Sequence, residues 1–349
     1  MPVPHDTQTE RIDSRLTPRP ANLGLGFPEN RGEQILPNRN AEPGYYDVPM
    51  LKPPVWESMV SWYLFLGGLS GGAYVTARLA ERFGGKRFRS VARIGTCVAA
   101  AAAAPCAPLL IADLGDPKRF HHMLRVFKPE SPMNLGAWVL TAYHGAGAAA
   151  LAREWLRSGD LERPEDRSFL KNAADGLLVA VADFVGVPLA LLLASYTGVL
   201  LTGGSTPIWC KSTWMPALFS ASAMSSGSAA VTLALEALAQ AGVQVNAEAA
   251  RKPLHTLHTI AHMAEVVTLV GYLSTAGRPL TSGKHALRAW GTLAAIGGSE
   301  LLQHLPAGRR ARPWLDIASS ALGILAAFNL RSTLLTAGYT SAKDPRSRH

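Results

Sequence analysis

Apolar residues run in long blocks along this chain, and short clusters of charge separate them. Eight blocks, at 57–79, 91–113, 133–153, 174–202, 215–236, 254–276, 285–305 and 314–338, reach the roughly 20 residues a helix needs to cross a bilayer core. Several are rich in Ala and Gly rather than Leu, as in "CVAAAAAAPCAPLL", so their limits are soft. A soluble helical globule with buried helices is the competing reading, but eight such windows in one chain favour the membrane. The pattern predicts an all-α integral membrane protein with eight transmembrane helices in two four-helix bundles, over 55–202 and 203–338. A short tail follows at 339–349. Residues 1–54 read as a polar, Pro-rich N-terminal tail without periodicity or the apolar core of a signal peptide.

The bundle division rests on the first and fifth blocks. "VWESMVSWYLFLGGLSGGAY" and "TWMPALFSASAMSSGSAAVT" each open on Trp and reach a Ser-Gly cluster a dozen or so residues later. Small residues let transmembrane helices approach closely, so the match fits either an internal repeat or plain packing convergence.

Charge then orients the helices. The loops joining helices 1–2, 3–4, 5–6 and 7–8 share one face and hold 16 Lys and Arg, against 8 in the loops joining 2–3, 4–5 and 6–7. The positive-inside rule puts the first set in the cytoplasm and both termini outside. The formal charge of +9 is therefore loop bias, and no nucleic-acid partner is expected. The three cysteines, Cys97, Cys106 and Cys210, form no CxxC pair. Cys97 and Cys106 are about 13 Å apart along one helix, too far to bridge. The sequence thus holds no ligand set for an iron–sulfur cluster or a zinc finger, and no metal is expected.

The stretch "IADLGDPKRFHHML" spends many charges on a short bridge between apolar blocks. By helix parity it shares a face with the start of helix 1 and the end of helix 4. Trp62, Tyr63, Asp113, the His121/His122 pair and Tyr196 can then line one pocket. Aromatic rings, an acid at the apolar boundary and imidazoles that titrate near neutral pH suit an amphipathic, proton-exchanging ring such as a quinone. Equally, Trp62 and Tyr63 suit an interface belt, and Asp113 a loop cap.

The motifs "YLFLGGLSGG" (63–72), "DLGDPKRF" (113–120), "SPMNLGAW" (131–138) and "YTGVLL" (196–201) resemble the NrfD/PsrC family over roughly 45–340. The resemblance implies a polysulfide-reductase-type membrane subunit of anaerobic respiration, not catalytic alone. It binds a quinone (menaquinone or ubiquinone) without haem. It docks a four-cluster ferredoxin-like iron–sulfur subunit, which connects to a molybdopterin or other catalytic subunit. The family's quinone-holding Tyr on helix 4 corresponds to Tyr196. Its polar residues at the start of helix 1 have no clear equivalent among Glu57, Ser58, Ser61 and Tyr63. On this basis Tyr196 and Asp113 bind the quinone oxygen or supply its proton, Tyr63 and Trp62 pack the ring, and His122 relays protons to water. Lys118, Arg119 and Arg125 form a basic collar for the partner, or else a solvated loop that balances Asp113 and Asp116.

Helix 6, "PLHTLHTIAHMAEVVTLVGYL", places His255, His258, His262 and Glu265 along one face over about 15 Å. Ionisable groups at that depth mark a pathway or a buried pair. Asp183, Glu300, His304 and Arg331 are candidate partners. The stripe reads as a proton path or as a structural pair such as Glu265 with Arg331. Haem ligation is disfavoured, since His258 and His262 lie on one side of one helix. His144 reads as a packed, hydrogen-bonded residue. Two other classes remain open: an ion-coupled secondary transporter, which the intramembrane charges and possible repeat also suit, and a passive membrane anchor.

Overall fold

Each apolar block folds as helix. The computed structural model describes residues 58–114, 116–159, 169–276 and 283–343, so the predicted tail over 1–54 lies outside the described residues. Helix α1 spans Ser58–Gly84, α2 Arg89–Ala103 and α3 Cys106–Asp113. Pro105 separates α2 from α3, because it has no N–H to donate and its ring crowds the preceding turn. A short α4, His122–Arg125, lies in the bridge to α5, Pro132–Gly159. Helix α6, Phe169–Ala180, passes through a six-residue π turn, Val181–Gly186, into α7, Val187–Thr202. The second half holds α8 (Pro207–Cys210), α9 (Met215–Gln240), α10 (Ala247–Ala276), α11 (Gly283–His304) and α12 (Arg312–Lys343). Helix α12 thus runs past the predicted limit at 338.

Among the described residues, four stretches are long and apolar enough to cross a membrane: Met59–Asp113, Ala173–Thr202, Met215–Gln240 and Arg312–Ala342. The first folds back on itself at Gly85, whose φ of +54° suits glycine, so that α1 and α2 pack antiparallel. Helices α5, α10 and α11 are diluted by Ala, Gly, His and Thr and fall short of that hydropathy. Large apolar side chains, among them Phe184, Val267, Trp290, Leu301 and Leu325, stand exposed on outer helix faces, as lipid-facing residues do.

The two Ser-Gly clusters meet. A Cβ on Gly72 would lie 1.9 Å from the Ala223 carbonyl oxygen, and one on Gly227 would lie 2.3 Å from the Ala73 nitrogen. Gly68 faces Ala223 while Gly227 faces Gly72, so positions rise together and α1 runs parallel to α9. Backbone contact of this kind requires residues without side chains. On its other side α1 packs Gly71 against the Ala190 carbonyl of α7, and the Tyr74 hydroxyl donates to the Ala182 carbonyl in the π turn at 2.9 Å. The Trp209 indole likewise donates to the Leu334 carbonyl of α12 at 2.9 Å.

Candidate functional site

The end of the molecule that carries residues 114–131 gathers the start of α1, the start of α5 and the end of α7. Tyr63 is buried within electrostatic reach of Cys106 and Tyr196. Tyr196 is 2% exposed, and its ring lies over the first turn of α5, where a Cβ on Gly136 would fall 2.4 Å from Cε1. The Gly136 N–H approaches the Tyr196 hydroxyl without the geometry of a hydrogen bond. That leaves the buried hydroxyl without the partner such groups ordinarily have.

Trp62 does not join them. Neighbours on a helix point about 100° apart, and its indole packs on Phe328 of α12 at 4.6 Å and on Phe65 at 6.2 Å. Asp113 is half-buried at the end of α3. His122 is exposed and sets its ring edge-on to His121 at 4.4 Å. Lys118, Arg119 and Arg125 are exposed, and Arg119 pairs with Asp116 at 3.1 Å across the surface. Phe120, Phe127 and Met133 stand exposed on the same loop and helix start.

Asn134, quoted in a motif but given no role from sequence, holds this loop in place. Its Nδ2 donates to the Met123 and Val126 carbonyls at 2.5 and 3.0 Å, and its Oδ1 accepts from the Lys128 N–H at 2.8 Å. A side-chain amide that saturates three backbone groups fixes the loop in one conformation.

The second site is a polar file along α10. At its outer end Asp316 of α12 lies within ion-pair distance of Arg251 (2.6 Å), Arg312 (3.1 Å) and His255 (3.1 Å), and Arg251 also bonds Glu236 of α9 at 2.8 Å. One turn inward, Gln303 donates to the His255 carbonyl (3.0 Å) and to Thr259 (3.1 Å), and Thr259 donates to Glu300 (2.9 Å). The exposed His304 stands 3.4 Å from the same carboxylate. Glu300 accepts from His262 Nδ1 at 2.7 Å, which leaves His262 Nε2 to face His258 Nε2 at 3.1 Å. An ionised carboxylate only accepts, so the His262 proton sits on Nδ1.

Deeper still, Glu265 accepts from Ser225 of α9 at 2.7 Å, and Arg331 donates to Ser222, one turn along α9, at 2.8 Å. Among the described residues no ion pair joins Glu265 to Arg331; each is held by its own serine. Both are buried, Arg331 completely, with its guanidinium over the Phe219 ring at 5.2 Å. Asp183 lies apart from this file, in the π turn of the first half near Tyr74. His144 meets two carbonyls, Leu140 at 2.8 Å and Ala103 at 3.1 Å.

Sequence reasoning passed over Asp316, Glu236, Arg251, Arg312 and Thr259. Three of them carried a signal: Asp316 and Glu236 are lone acids in apolar helical runs, and Arg312 precedes Asp316 by four residues. The first half has an ion cluster of its own, in which Glu81 takes Arg78 (2.6 Å), Arg153 (2.5 Å) and Arg157 (2.8 Å).

The sequence of this chain is similar to sequences of known proteins. The C subunit of the polysulfide reductase of Wolinella succinogenes is 29% identical over 179 residues, 50% of this chain and 56% of that protein. The chain therefore spans about half the length of this curated relative. The family model "Polysulphide reductase, NrfD" matches residues 48–342, from ahead of α1 to the last turn of α12. On a match of that extent, this helical membrane protein belongs to the polysulphide reductase NrfD family.

Proposed function

We propose that this protein is the quinone-reactive membrane subunit of a respiratory oxidoreductase complex, exchanging electrons and protons between the quinone pool and an iron–sulfur partner. The observation that carries the reading is the buried Tyr196 hydroxyl, held over Gly136 at the end where Tyr63 and the 114–131 loop meet. In this reading eight helices cross the bacterial inner membrane as bundles over 55–202 and 203–338, with both termini in the periplasm and lipid around the outer faces.

Tyr196 and Asp113 fit a quinone head group. The first donates a hydrogen bond to a carbonyl oxygen, and the second holds or passes a proton at the apolar boundary. Tyr63 supplies an apolar wall, and His122 exchanges protons with water. Trp62, turned toward α12, is left out of this pocket. A bound quinone supplies two-electron, two-proton redox chemistry, which none of these side chains has.

Exposed Lys118, Arg119 and Arg125 beside Phe120 and Phe127 suit an acidic face on a four-cluster ferredoxin-like subunit, itself joined to a molybdopterin or other catalytic subunit. The α10 file of His255, His258, His262 and Glu300 supports proton transfer from the opposite face, with Glu265 and Arg331 beyond it. Asp183 serves the first half.

The test is quinol-dependent electron transfer in membranes, beside a pull-down of the partner. Tyr196→Phe removes one hydrogen bond, about 0.5–1.5 kcal/mol and more if a buried group is stranded. Turnover should fall while assembly survives. Asp113→Asn should slow turnover more than it weakens binding. Changing Lys118 and Arg119 to Glu should loosen the partner in a salt-dependent way. Normal turnover in both Tyr196→Phe and Asp113→Asn sinks the quinone-site reading.

A further inference from the structure

Two histidines one turn apart on α10 and a carboxylate from α11 converge deep in the second half. His258 Nε2 and His262 Nε2 are 3.1 Å apart, with ring centroids 4.2 Å apart. Glu300 Oε1 lies 2.7 Å from His262 Nδ1, and one ligating atom from each of the three side chains falls within 4.8 Å of the others. Both rings are buried. Gly323 of α12 faces them: a Cβ there would come within 3.1 Å of His258 Nε2 and 3.4 Å of Ser299 Oγ. A side chain on α12 at that point would crowd the paired nitrogens.

We propose that His258 and His262 chelate one transition-metal dication of the Zn²⁺ class, with Glu300 as the positioning carboxylate. Imidazole nitrogens suit Zn²⁺, Cu²⁺ and Ni²⁺, whereas Mg²⁺ and Ca²⁺ take oxygen ligands. Two metal–nitrogen bonds of about 2.0–2.1 Å, at an angle of about 90–110°, hold their nitrogens about 2.9–3.4 Å apart. The observed 3.1 Å falls within that interval. Glu300 keeps the His262 proton on Nδ1, so the Nε2 lone pair is free to bind metal, in the carboxylate–histidine–metal arrangement. The ion takes the place of the proton between the two Nε2 atoms, and His258 rebinds that proton on Nδ1. Two neutral rings therefore accept the cation without losing a proton. A cleft lined by Arg251, His255, Thr259, His304 and Arg312 opens at this end, and Thr259 and His304 both touch Glu300. Where the proton-path reading holds, an ion at this link interrupts the file.

The test uses full-length protein in detergent, stripped with a chelator and dialysed against Zn²⁺ alone. His121→Asn and His122→Asn are introduced first, to remove the exposed loop pair. The expected result is one Zn²⁺ per protein molecule and a raised unfolding temperature. Binding should be lost in His258→Asn and in His262→Asn, and weakened about 10–100-fold in Glu300→Gln. Should the histidine variants not fold, Cu²⁺ bound to the parent protein should show electron-spin coupling to two ring nitrogens. Stoichiometric Zn²⁺ retained in both histidine variants, or Cu²⁺ without nitrogen coupling, overturns the site. With His121 and His122 restored and the complex assembled, Zn²⁺ at the pair that leaves quinol-dependent turnover unchanged overturns the proton path and leaves the metal site standing.

Discussion

Helices α1 and α9 pose the same problem and the two halves answer it differently. Each carries a glycine at the crossing, Gly72 or Gly227, and an acid nine residues further on, Glu81 or Glu236. Around Glu81 the neighbours close the cluster: α5 brings Arg153 and Arg157, whose other acid is Asp175 of α6, and Arg78 turns its other nitrogen to Thr96 at 2.7 Å. Inward from there, Tyr74 spends its hydroxyl on a backbone carbonyl. Around Glu236 the cluster stays open. Arg251 divides itself between Glu236 and Asp316, and Asp316 leads through His255 to the rest of the α10 file. An acid at one position in two similar helices is thus a clamp in one half and the end of a hydrogen-bonded polar file in the other. The side chains of the packed neighbours decide which.

The largest break should come at the crossing itself. Gly72→Ala drives a Cβ into the Ala223 carbonyl, backbone against backbone, with no flexible side chain to give way. A loss of about 3 kcal/mol or more is expected, at the upper end for overpacking. Yield and thermal midpoint in detergent measure it against Gly145→Ala, where nothing lies within 4 Å. Equal stability of the two variants would mean that the halves do not depend on this contact.

An intermediate effect separates the two acid clusters. Glu81→Gln leaves Arg78 without a carboxylate, while Arg153 and Arg157 keep Asp175 at 3.2 and 3.8 Å. Breaking a buried pair costs about 3–5 kcal/mol, and the partial exposure of Glu81 should bring that to about 2–3 kcal/mol. Glu236→Gln should cost about half as much on the same scale, because Arg251 keeps Asp316 at 2.6 Å. Matching drops in thermal midpoint would erase the distinction between the two ends.

The smallest effect sharpens the picture inside the first half. Tyr74→Phe strands the Ala182 carbonyl in the π turn and should cost about 1 kcal/mol. Amide exchange should quicken over Val181–Gly186 and stay unchanged in α10.

Helix positions were legible because a bilayer demands long apolar runs, and the polar ends only lengthened them: α1 reaches Gly84, α10 begins at Ala247 and α12 reaches Lys343. The one-face spacing of His255, His258, His262 and Glu265 was legible for the same geometric reason. Their partners were not. Glu300 was one candidate among several acids and bases, Asp316 was passed over, and in place of a Glu265–Arg331 pair, one of the alternatives, each is held by a serine of α9.

The sequence by itself determined the helical class, the register of the His stripe and the small-residue faces, because these follow from local periodicity and from what a membrane admits. Only the tertiary structure decided that Trp62 and Tyr63 face different neighbours, that Asn134 pins the loop ahead of α5, and that Asp316 gathers Arg251, Arg312 and His255. Those outcomes depend on which helices lie side by side and how each is rotated about its axis. Packing of the whole protein sets that rotation, and no single segment encodes it.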